Sequence, residues 1–258
     1  MTDTVELTIE DGLAVVILNR PAKLNALNAE MMAALGAAAD AIDRDVSVRA
    51  AILTGAGEKA FCAGGDIADW GQLTPFAMGQ EWVRQGHRVF DKLARLKVPL
   101  IAALNGHVLG GGLELAATAD LRIGEEHATF ALPETSIGII PGWSGTQRLT
   151  RRFGAPVVKR LALFGERLDA AQALQLGLAD HIVPRGESLA RARAVAANLA
   201  KRGPVATVVT KQLINAAEGE EAEAAHEIIA SAFISHTADL NEGVAAFRDK
   251  RTPQFKGS

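Results

Sequence analysis

The sequence lacks the features of several large classes of protein. It has a single cysteine, Cys62, which excludes an intramolecular disulfide and fits a reducing compartment. No apolar run reaches the roughly 20 residues of a membrane span, because polar residues and glycines interrupt the longest one, residues 98–113. The formal net charge of −3 gives the chain no general attraction for nucleic acid or for an anionic membrane.

Signatures of export and of metal binding are also missing. Residues 1–10 carry three acidic side chains and no basic one, unlike a signal or transit peptide, so we expect a cytoplasmic protein. The six histidines show no pair at metal-ligand spacing, so we expect no metal site. There is no P-loop, and Gly142-Trp143-Ser144-Gly145 lacks the full spacing of a nucleophile elbow.

The order of predicted elements indicates an α/β fold with a helical C-terminal part. Strands are predicted at residues 5–9, 13–18, 50–53, 100–104, 121–123 and 128–131. Asp11-Gly12 predicts a hairpin between the first two, and Asn28 is expected to cap a helix that ends near Arg44. Further helices are predicted at residues 76–96 and 113–119, and beyond Pro141 the pattern is helical throughout.

Residues 105–120, NGHVLGGGLELAATAD, combine a strand, three glycines and a helix. The first amides of a helix have no partner within it, and the helix dipole favours negative charge there. Glu114 follows Gly111 by about one helical turn, so its carboxylate can face the same region as the Gly111 amide. The segment alone is equally consistent with a structural interpretation, in which the glycines only allow close packing and Glu114 lies on the surface.

Two more segments carry candidate chemistry. Residues 61–66, FCAGGD, form either a plain turn or a second exposed amide. In residues 132–149, LPETSIGIIPGWSGTQRL, Glu134 lies among apolar residues, which would raise the pKa of its carboxyl and suit it to acid–base chemistry. Taken alone, Glu134 fits a solvated residue or a helix cap. For His107 and Cys62 we predict structural roles rather than catalysis.

Taken together and in this order, the three segments closely resemble the enoyl-CoA hydratase/isomerase (crotonase) superfamily. The stretches LNRPAKLNALN and NEGVAAFRDKRTPQFKG are also similar to family segments, so the resemblance covers nearly the whole chain. It implies a spiral of strand–strand–helix units over residues 1–202. It also implies a helical C-terminal trimerisation region over residues 203–258, with homotrimers that often pair into homohexamers.

The resemblance implies an active site on four residues. By motif position, the backbone amides of Gly65 and Gly111 would hold the thioester oxygen of an acyl-CoA. Hydratases of the family carry two glutamates, here Glu114 and Glu134, whereas many isomerases carry one. The expected enzyme is therefore a hydro-lyase that adds water to a 2-enoyl-CoA to give a 3-hydroxyacyl-CoA. Glu114 would position and activate the water, and Glu134 would give a proton to the α-carbon.

The family also implies a coenzyme A site. Its residues would be Ala22, Lys23, Leu24, Ala63, Gly64, Gly65, Asp66 and Ile67, with Lys250 reaching the nucleotide phosphates from a neighbouring subunit and Phe247 nearby. Lys250 fits equally well with a solvated lysine at a helix end. Coenzyme A is part of the substrate, so no separate cofactor is expected.

One departure from the family concerns the acyl pocket. Trp143-Ser144 stands where many hydratases have two small residues, so we hypothesise a narrowed pocket and a short or unusual acyl chain. Trp70, Leu73 and Trp82 could shape the same pocket or belong to the core. The alternatives are an enoyl-CoA isomerase or a pathway-specialised relative. A crotonase relative that binds RNA through the basic residues 84–97 is disfavoured by the net charge, so we expect no nucleic acid partner.

Overall fold

The computed structural model of the protein describes residues 4–258, apart from the side chains of Ala222, Glu223 and Ala225. The first three residues, part of the acidic N-terminal segment, lie outside the described residues. The chain forms two compact units, one ending at Val208 and the other spanning Val209–Ser258. The boundary predicted from the sequence, between residues 202 and 203, lies shortly before this division. Within the described residues, no helix has the length and apolarity to span a membrane.

In the described part of the first unit, ten strands build two sheets. They are β1 (Val5–Glu10), β2 (Leu13–Leu18), β3 (Ala50–Gly55), β4 (Ala60–Cys62), β5 (Leu100–Leu104), β6 (His107–Leu109), β7 (Leu121–Glu125), β8 (Thr129–Ala131), β9 (Leu168–Asp169) and β10 (His181–Val183). The larger sheet has the order β1-β2-β3-β5-β7-β10, and the smaller has the order β4-β6-β8-β9. All six predicted strands are confirmed.

The sheets arise from a repeated pair of strands. In each of the pairs β3/β4, β5/β6 and β7/β8, the first strand joins the larger sheet and the second joins the smaller one. Neighbours within each set are parallel, which requires the chain to return through a crossover after every pair. The predicted strand–strand–helix repeat is therefore present. The hairpin of β1 and β2 turns at Asp11 and Gly12, which both have positive φ, as the Asp-Gly signal predicts.

Twelve helices accompany the strands in the described chain. They are α1 (Ala29–Arg44), α2 (Ile67–Trp70), α3 (Pro75–Ala77), α4 (Arg84–Ala94), α5 (Gly111–Ala116), α6 (Arg148–Phe153), α7 (Ala155–Phe164), α8 (Ala170–Gln175), α9 (Ser188–Leu199), α10 (Pro204–Ala217), α11 (Ala222–Ile234) and α12 (Ala238–Arg248). A π-helical stretch, Met78–Val83, joins α3 to α4, and 3-10 turns cover Pro21–Lys23 and Glu134–Ile137. The Asn28 side chain caps α1 by accepting the Met31 N–H at 2.9 Å, as predicted.

The prediction of helix throughout the region beyond Pro141 is wrong in two places. The strands β9 and β10 interrupt the helices, and both are too short to leave a period-two pattern in the sequence. The first helix after Pro141 begins only at Arg148, because Ser144 has a φ of 80°, a conformation that no α-helix contains. In residues 105–120, β6 is the strand that runs into the three glycines.

Candidate active site

The smaller sheet brings three predicted segments to one edge. Its strands β4, β6 and β8 are parallel neighbours, so their carboxyl ends lie side by side. Gly65 follows β4, Gly111 follows β6 and Glu134 follows β8. A Cβ added to Gly64 would lie only 3.1 Å from the Gly111 nitrogen, so the first two loops are in direct contact. Residues far apart in the sequence therefore meet because of the sheet order.

Gly65 and Gly111 present backbone N–H groups without acceptors. On either side of Gly65, the Leu27 N–H donates to the Gly64 oxygen and the Asp66 N–H donates to the Leu27 oxygen, each at 2.7 Å. The Gly65 N–H takes no part in this pairing. Gly111 is the first residue of α5, where helix amides have no partner within the helix. Across the described residues, neither N–H makes a hydrogen bond. Both glycines line one cavity of about 520 Å³, which also contains Glu114 and Glu134.

Glu114 lies in α5, one turn after Gly111, and is only 3% exposed. The alternative of a surface glutamate is therefore wrong. Its Oε1 accepts the N–H groups of Trp143 at 2.7 Å and Gly145 at 2.6 Å, which leaves Oε2 for other partners. Burial and the nearby charge of Glu134 raise the pKa of Glu114 to about 8, although the two N–H donors and Arg148 act in the opposite direction. A carboxyl of this kind exchanges protons near neutral pH.

Glu134 opens the 3-10 turn after β8 and is 7% exposed. A Cβ on Gly110 would lie 2.7 Å from its Oε1, so the carboxyl fits only against a glycine, which here has a φ of 55°. Its Oε2 is buried and has no hydrogen-bond partner in the described part of the chain. Burial raises the pKa of Glu134 to about 7. The predicted apolar setting of this glutamate is thus present in the fold.

The two carboxyls form a coupled pair. The charge of Glu134 raises the pKa of Glu114, and both values lie near neutrality. Like charges close together in a buried site favour the state in which the pair holds one proton, and the two groups then titrate as a unit. Such a pair can accept a proton from one atom and donate one to another in the same event.

The segments expected to bind coenzyme A run side by side towards Gly65. Pro21–Lys23 form a 3-10 turn, and the Leu24 oxygen then accepts the Ala63 N–H at 3.0 Å. The buried Asn25 side chain fixes this loop through bonds to the Arg20 nitrogen and to the Ala60 oxygen. The backbone of residues 22–24 and of residues 63–65 is therefore brought together.

Asp66 and Ile67 differ in what they offer. The Asp66 carboxylate caps α2 through the Ala68 N–H at 3.1 Å and pairs with Arg20 at 2.9 Å. Partial burial would raise the pKa of Asp66, but these two donors lower it. Its carboxylate is thus engaged within the protein, while the Ile67 side chain is 57% exposed at the start of α2.

Phe247 and Lys250 lie in the second compact unit. Phe247 is on α12 and is 87% exposed. Lys250 follows the helix with a φ of 54° and is also exposed. Both are available to contact another molecule, and their assignment to a neighbouring subunit's nucleotide stays a prediction.

Cys62, His107 and the basic segment 84–97 show no sign of a catalytic or nucleic-acid-binding role. The Cys62 thiol is fully buried, which raises its pKa to about 12 and keeps it protonated. His107 bonds through Nδ1 to the Thr129 hydroxyl at 3.0 Å and does not line the cavity. In the basic segment 84–97, Lys92 pairs with Asp40 at 2.7 Å. Such pairing with acids is typical of a solvated helix face.

Trp143 has a larger role than the sequence indicated. Its indole packs 5.2 Å from the Trp82 ring and 5.4 Å from the Phe90 ring, measured between centroids. A Cβ added to Gly111 would lie 2.8 Å from this indole, and one added to Gly86 would overlap it at 2.0 Å. The ring is thus wedged beside both predicted amides, while the backbone N–H of the same residue holds Glu114. Gly86, inside a helix pattern, was the signal that could have indicated it.

Comparisons with known proteins identify the family of this chain. Residues 8–258 match the family model described as enoyl-CoA hydratase/isomerase. The short-chain-enoyl-CoA hydratase of Clostridium acetobutylicum is 38% identical over 251 residues, which are 96% of each chain. The crotonyl-CoA hydratase of Syntrophomonas wolfei is 36% identical over 255 residues, 98% of each chain. The crystal structure of an enoyl-CoA hydratase from Bacillus anthracis superposes with a TM-score of 0.80 at 33% identity, covering 99% of this chain and 100% of that one.

This chain belongs to the enoyl-CoA hydratase/isomerase family. The superfamily predicted from the three sequence segments is confirmed, and so is the predicted fold class, an α/β crotonase fold with C-terminal helices. The trimerisation role of those helices is not tested by these findings and stays a prediction.

Proposed function

We propose that the protein is an enoyl-CoA hydratase that converts a 2-enoyl-CoA into a 3-hydroxyacyl-CoA. The observation that carries this proposal is the meeting of two buried carboxyls and two partnerless amides on one cavity. Relatives named as hydratases of short-chain enoyl-CoA and crotonyl-CoA support the same activity. Isomerisation needs one base to move one proton, which would leave the second buried glutamate without a purpose.

The Gly65 and Gly111 amides are proposed to stabilise charge on the thioester oxygen. When oxygen attacks the β-carbon of the enoyl group, electrons move through the conjugated system to that oxygen. Two N–H donors that already lack acceptors need no rearrangement to bind it, and one such donor is typically worth about 100–1000-fold in rate. The apolar walls of the cavity strengthen these bonds because they exclude water.

Glu114 and Glu134 are proposed to handle the protons. Hydration forms a C–O bond at the β-carbon and a C–H bond at the α-carbon, and the attacking water loses one proton. A pair that holds one proton balances these changes, since the ionised carboxylate takes the proton from water and the protonated carboxyl supplies one to the α-carbon. After addition the proton is on the other carboxyl of the pair, and its return through a shared water restores the starting state.

The division of roles within the pair follows the family resemblance. Glu114 Oε1 is fixed by two backbone N–H groups, so Oε2 is oriented to hold the attacking water. Glu134 Oε2 is buried without a partner in the described chain and is proposed to serve the α-carbon. Burial raises the pKa of both carboxyls towards neutrality, so the pair can hold the single proton that addition requires.

Several wider features belong to this proposal. Coenzyme A is expected along residues 22–24 and 63–67, as part of the substrate rather than as a cofactor. A homotrimer or homohexamer built through the C-terminal helices and a cytoplasmic location stay predictions from the sequence.

The test is hydration of crotonyl-CoA by the purified protein, followed by loss of the conjugated enoyl-thioester absorbance. In D₂O each turnover should place one deuterium on the α-carbon of the product. Glu114→Gln and Glu134→Gln should each abolish the reaction, whereas Glu125→Gln, a change at a buried glutamate outside the cavity, should not. Conversion of 3-hexenoyl-CoA to a conjugated product without any hydration of crotonyl-CoA would contradict the proposal.

A further inference from the structure

The cavity contains polar side chains that the hydration chemistry does not use, namely His87, Ser144, Thr146 and Gln147. Thr146 and Gln147 are exposed to solvent, and much of the remaining wall beyond the glutamates is apolar, formed by Trp70, Met78, Trp82, Val83, Ile139 and Ile140. His87, on α4, and Ser144 line the same cavity and bond to each other, with 3.1 Å between the Ser144 Oγ and the His87 Nδ1. An acyl chain that leaves the region of Glu114 must pass within this lining.

Ser144 lies in the turn that holds Glu114. The N–H groups of its two chain neighbours, Trp143 and Gly145, both donate to the Glu114 Oε1. Ser144 is only 5% exposed, so its hydroxyl has a fixed environment beside the reacting groups. Any substrate group bound by the histidine–serine pair would therefore lie close to the double bond that is hydrated.

The backbone of Ser144 makes the choice of a serine informative. Its φ of 80° is in the left-handed region, where glycine is favoured and a side chain is strained. Glycines stand at two nearby positions, Gly142 and Gly145, so a glycine would suit the same turn. A side chain kept in a strained conformation next to an active site indicates a role for that side chain.

The hydrogen bond to Ser144 engages Nδ1 and leaves Nε2 as the ring nitrogen that His87 can offer to a ligand. In neutral imidazole one ring nitrogen carries hydrogen and the other accepts. When the Ser144 hydroxyl donates to Nδ1, the hydrogen must be on Nε2. Across the chain that the structure describes, Nε2 has no hydrogen-bond partner. In that tautomer the pair presents an N–H donor to the cavity.

Resting on the proposed hydratase function, we infer that Ser144 donates to the His87 Nδ1, and that the resulting Nε2–H selects an acyl chain that carries an oxygen acceptor beyond the double bond. A donor without a partner in an apolar pocket disfavours a purely alkyl chain, because that chain leaves the donor unsatisfied. His87 contacts the substrate in this account, and Ser144 is a positioning residue that sets the histidine tautomer. Crotonyl-CoA carries no oxygen beyond its double bond, so its hydration does not report on this selection.

Binding of unreactive saturated acyl-CoAs tests this inference apart from catalysis. Heptanoyl-CoA is compared with 5-methoxypentanoyl-CoA and 4-ethoxybutanoyl-CoA, in which one ether oxygen replaces a CH₂ group. Calorimetry gives the ratio of alkyl to ether Kd for each protein. Each protein gives two ratios, one for each ether ligand, and the larger wild-type ratio marks the ether that binds better relative to heptanoyl-CoA. We expect His87→Leu and Ser144→Gly each to lower that ratio about tenfold. His87→Gln, which keeps an N–H donor, should retain most of the wild-type ratio.

Two controls separate selection from general damage. Ser144→Gly relieves the strained φ, so loss of the fold is not expected to obscure its result. His181→Leu changes a histidine on the edge strand β10 and should leave both ratios unchanged. Ratios that stay within twofold of wild type in His87→Leu would overturn the inference, as would a Ser144→Gly variant that weakens all three ligands equally. Either outcome is independent of whether crotonyl-CoA is hydrated.

Discussion

Replacing Glu114 by glutamine should change how the free energy of unfolding depends on pH. The pKa of this carboxyl is raised from 4.5 to about 8 on folding, chiefly by burial. The folded state therefore binds the proton more tightly than the unfolded state. Its contribution to stability is constant below about pH 4.5, falls as the pH rises, and becomes constant again above about pH 8. Glutamine keeps the shape and removes the titration.

The magnitude follows from the pKa difference. One pKa unit corresponds to about 1.4 kcal/mol, so the full difference for Glu114 is about 5 kcal/mol. Part of this depends on Glu134, which titrates with it. Between pH 5 and pH 9 we therefore expect Glu114→Gln to gain about 3–5 kcal/mol of stability relative to the wild type.

Urea unfolding followed by tryptophan fluorescence measures this difference at pH 5, 7 and 9, with one protein concentration throughout. Glu166→Gln is the control, because this half-buried glutamate pairs with Arg160, which lowers the pKa of its carboxyl. Its contribution has the opposite sign and is present above its unfolded pKa, so this variant should not gain stability as the pH rises. Parallel stability curves for Glu114→Gln and the wild type would refute the account of a buried carboxyl.

Three further outcomes are expected. Because hydration needs one ionised and one protonated carboxyl, kcat/KM should be bell-shaped in pH with limbs near about 7 and 8, and a flat profile from pH 5 to 9 would contradict the pair of Glu114 and Glu134. Gly86→Ala should lower the free energy of unfolding by about 1–3 kcal/mol, since the new Cβ overlaps Trp143. Gly79→Ala is the control and should not lower it, because a Cβ at Gly79 has no atom within 4 Å. Thermal unfolding of both variants measures the difference. Trp143 lines the cavity where many hydratases of the family have a small residue, so we expect crotonyl-CoA to be hydrated faster than 2-decenoyl-CoA. Equal kcat/KM values would rule this out.

The fold was predictable where the sequence carries a local physical signal. Asp11-Gly12 requires a turn with positive φ, and Asn28 offers a side-chain acceptor to the first amides of α1. The strands β9 and β10 carry no such signal. They exist because the edges of two sheets are available to them, which is a tertiary effect.

The candidate site was predictable only in part. The residues themselves followed from three segments, and their meeting at the ends of β4, β6 and β8 follows from the sheet order. The support of Glu114 by the N–H groups of Trp143 and Gly145 could not be predicted, because backbone groups have no sequence signature. The pairing of His87 with Ser144 joins residues 57 positions apart, so no local pattern indicates it.

The central claim is that Glu114 and Glu134 act as one unit in hydration. The most direct measurement is kcat/KM for crotonyl-CoA in Glu114→Gln, in Glu134→Gln and in the double variant. If the pair shares one proton, each single change should cost at least about 1000-fold and the double change little more than either alone, because residues that act as a unit are not additive. Single losses that multiply in the double variant, or a single variant that keeps near wild-type activity, would contradict the claim.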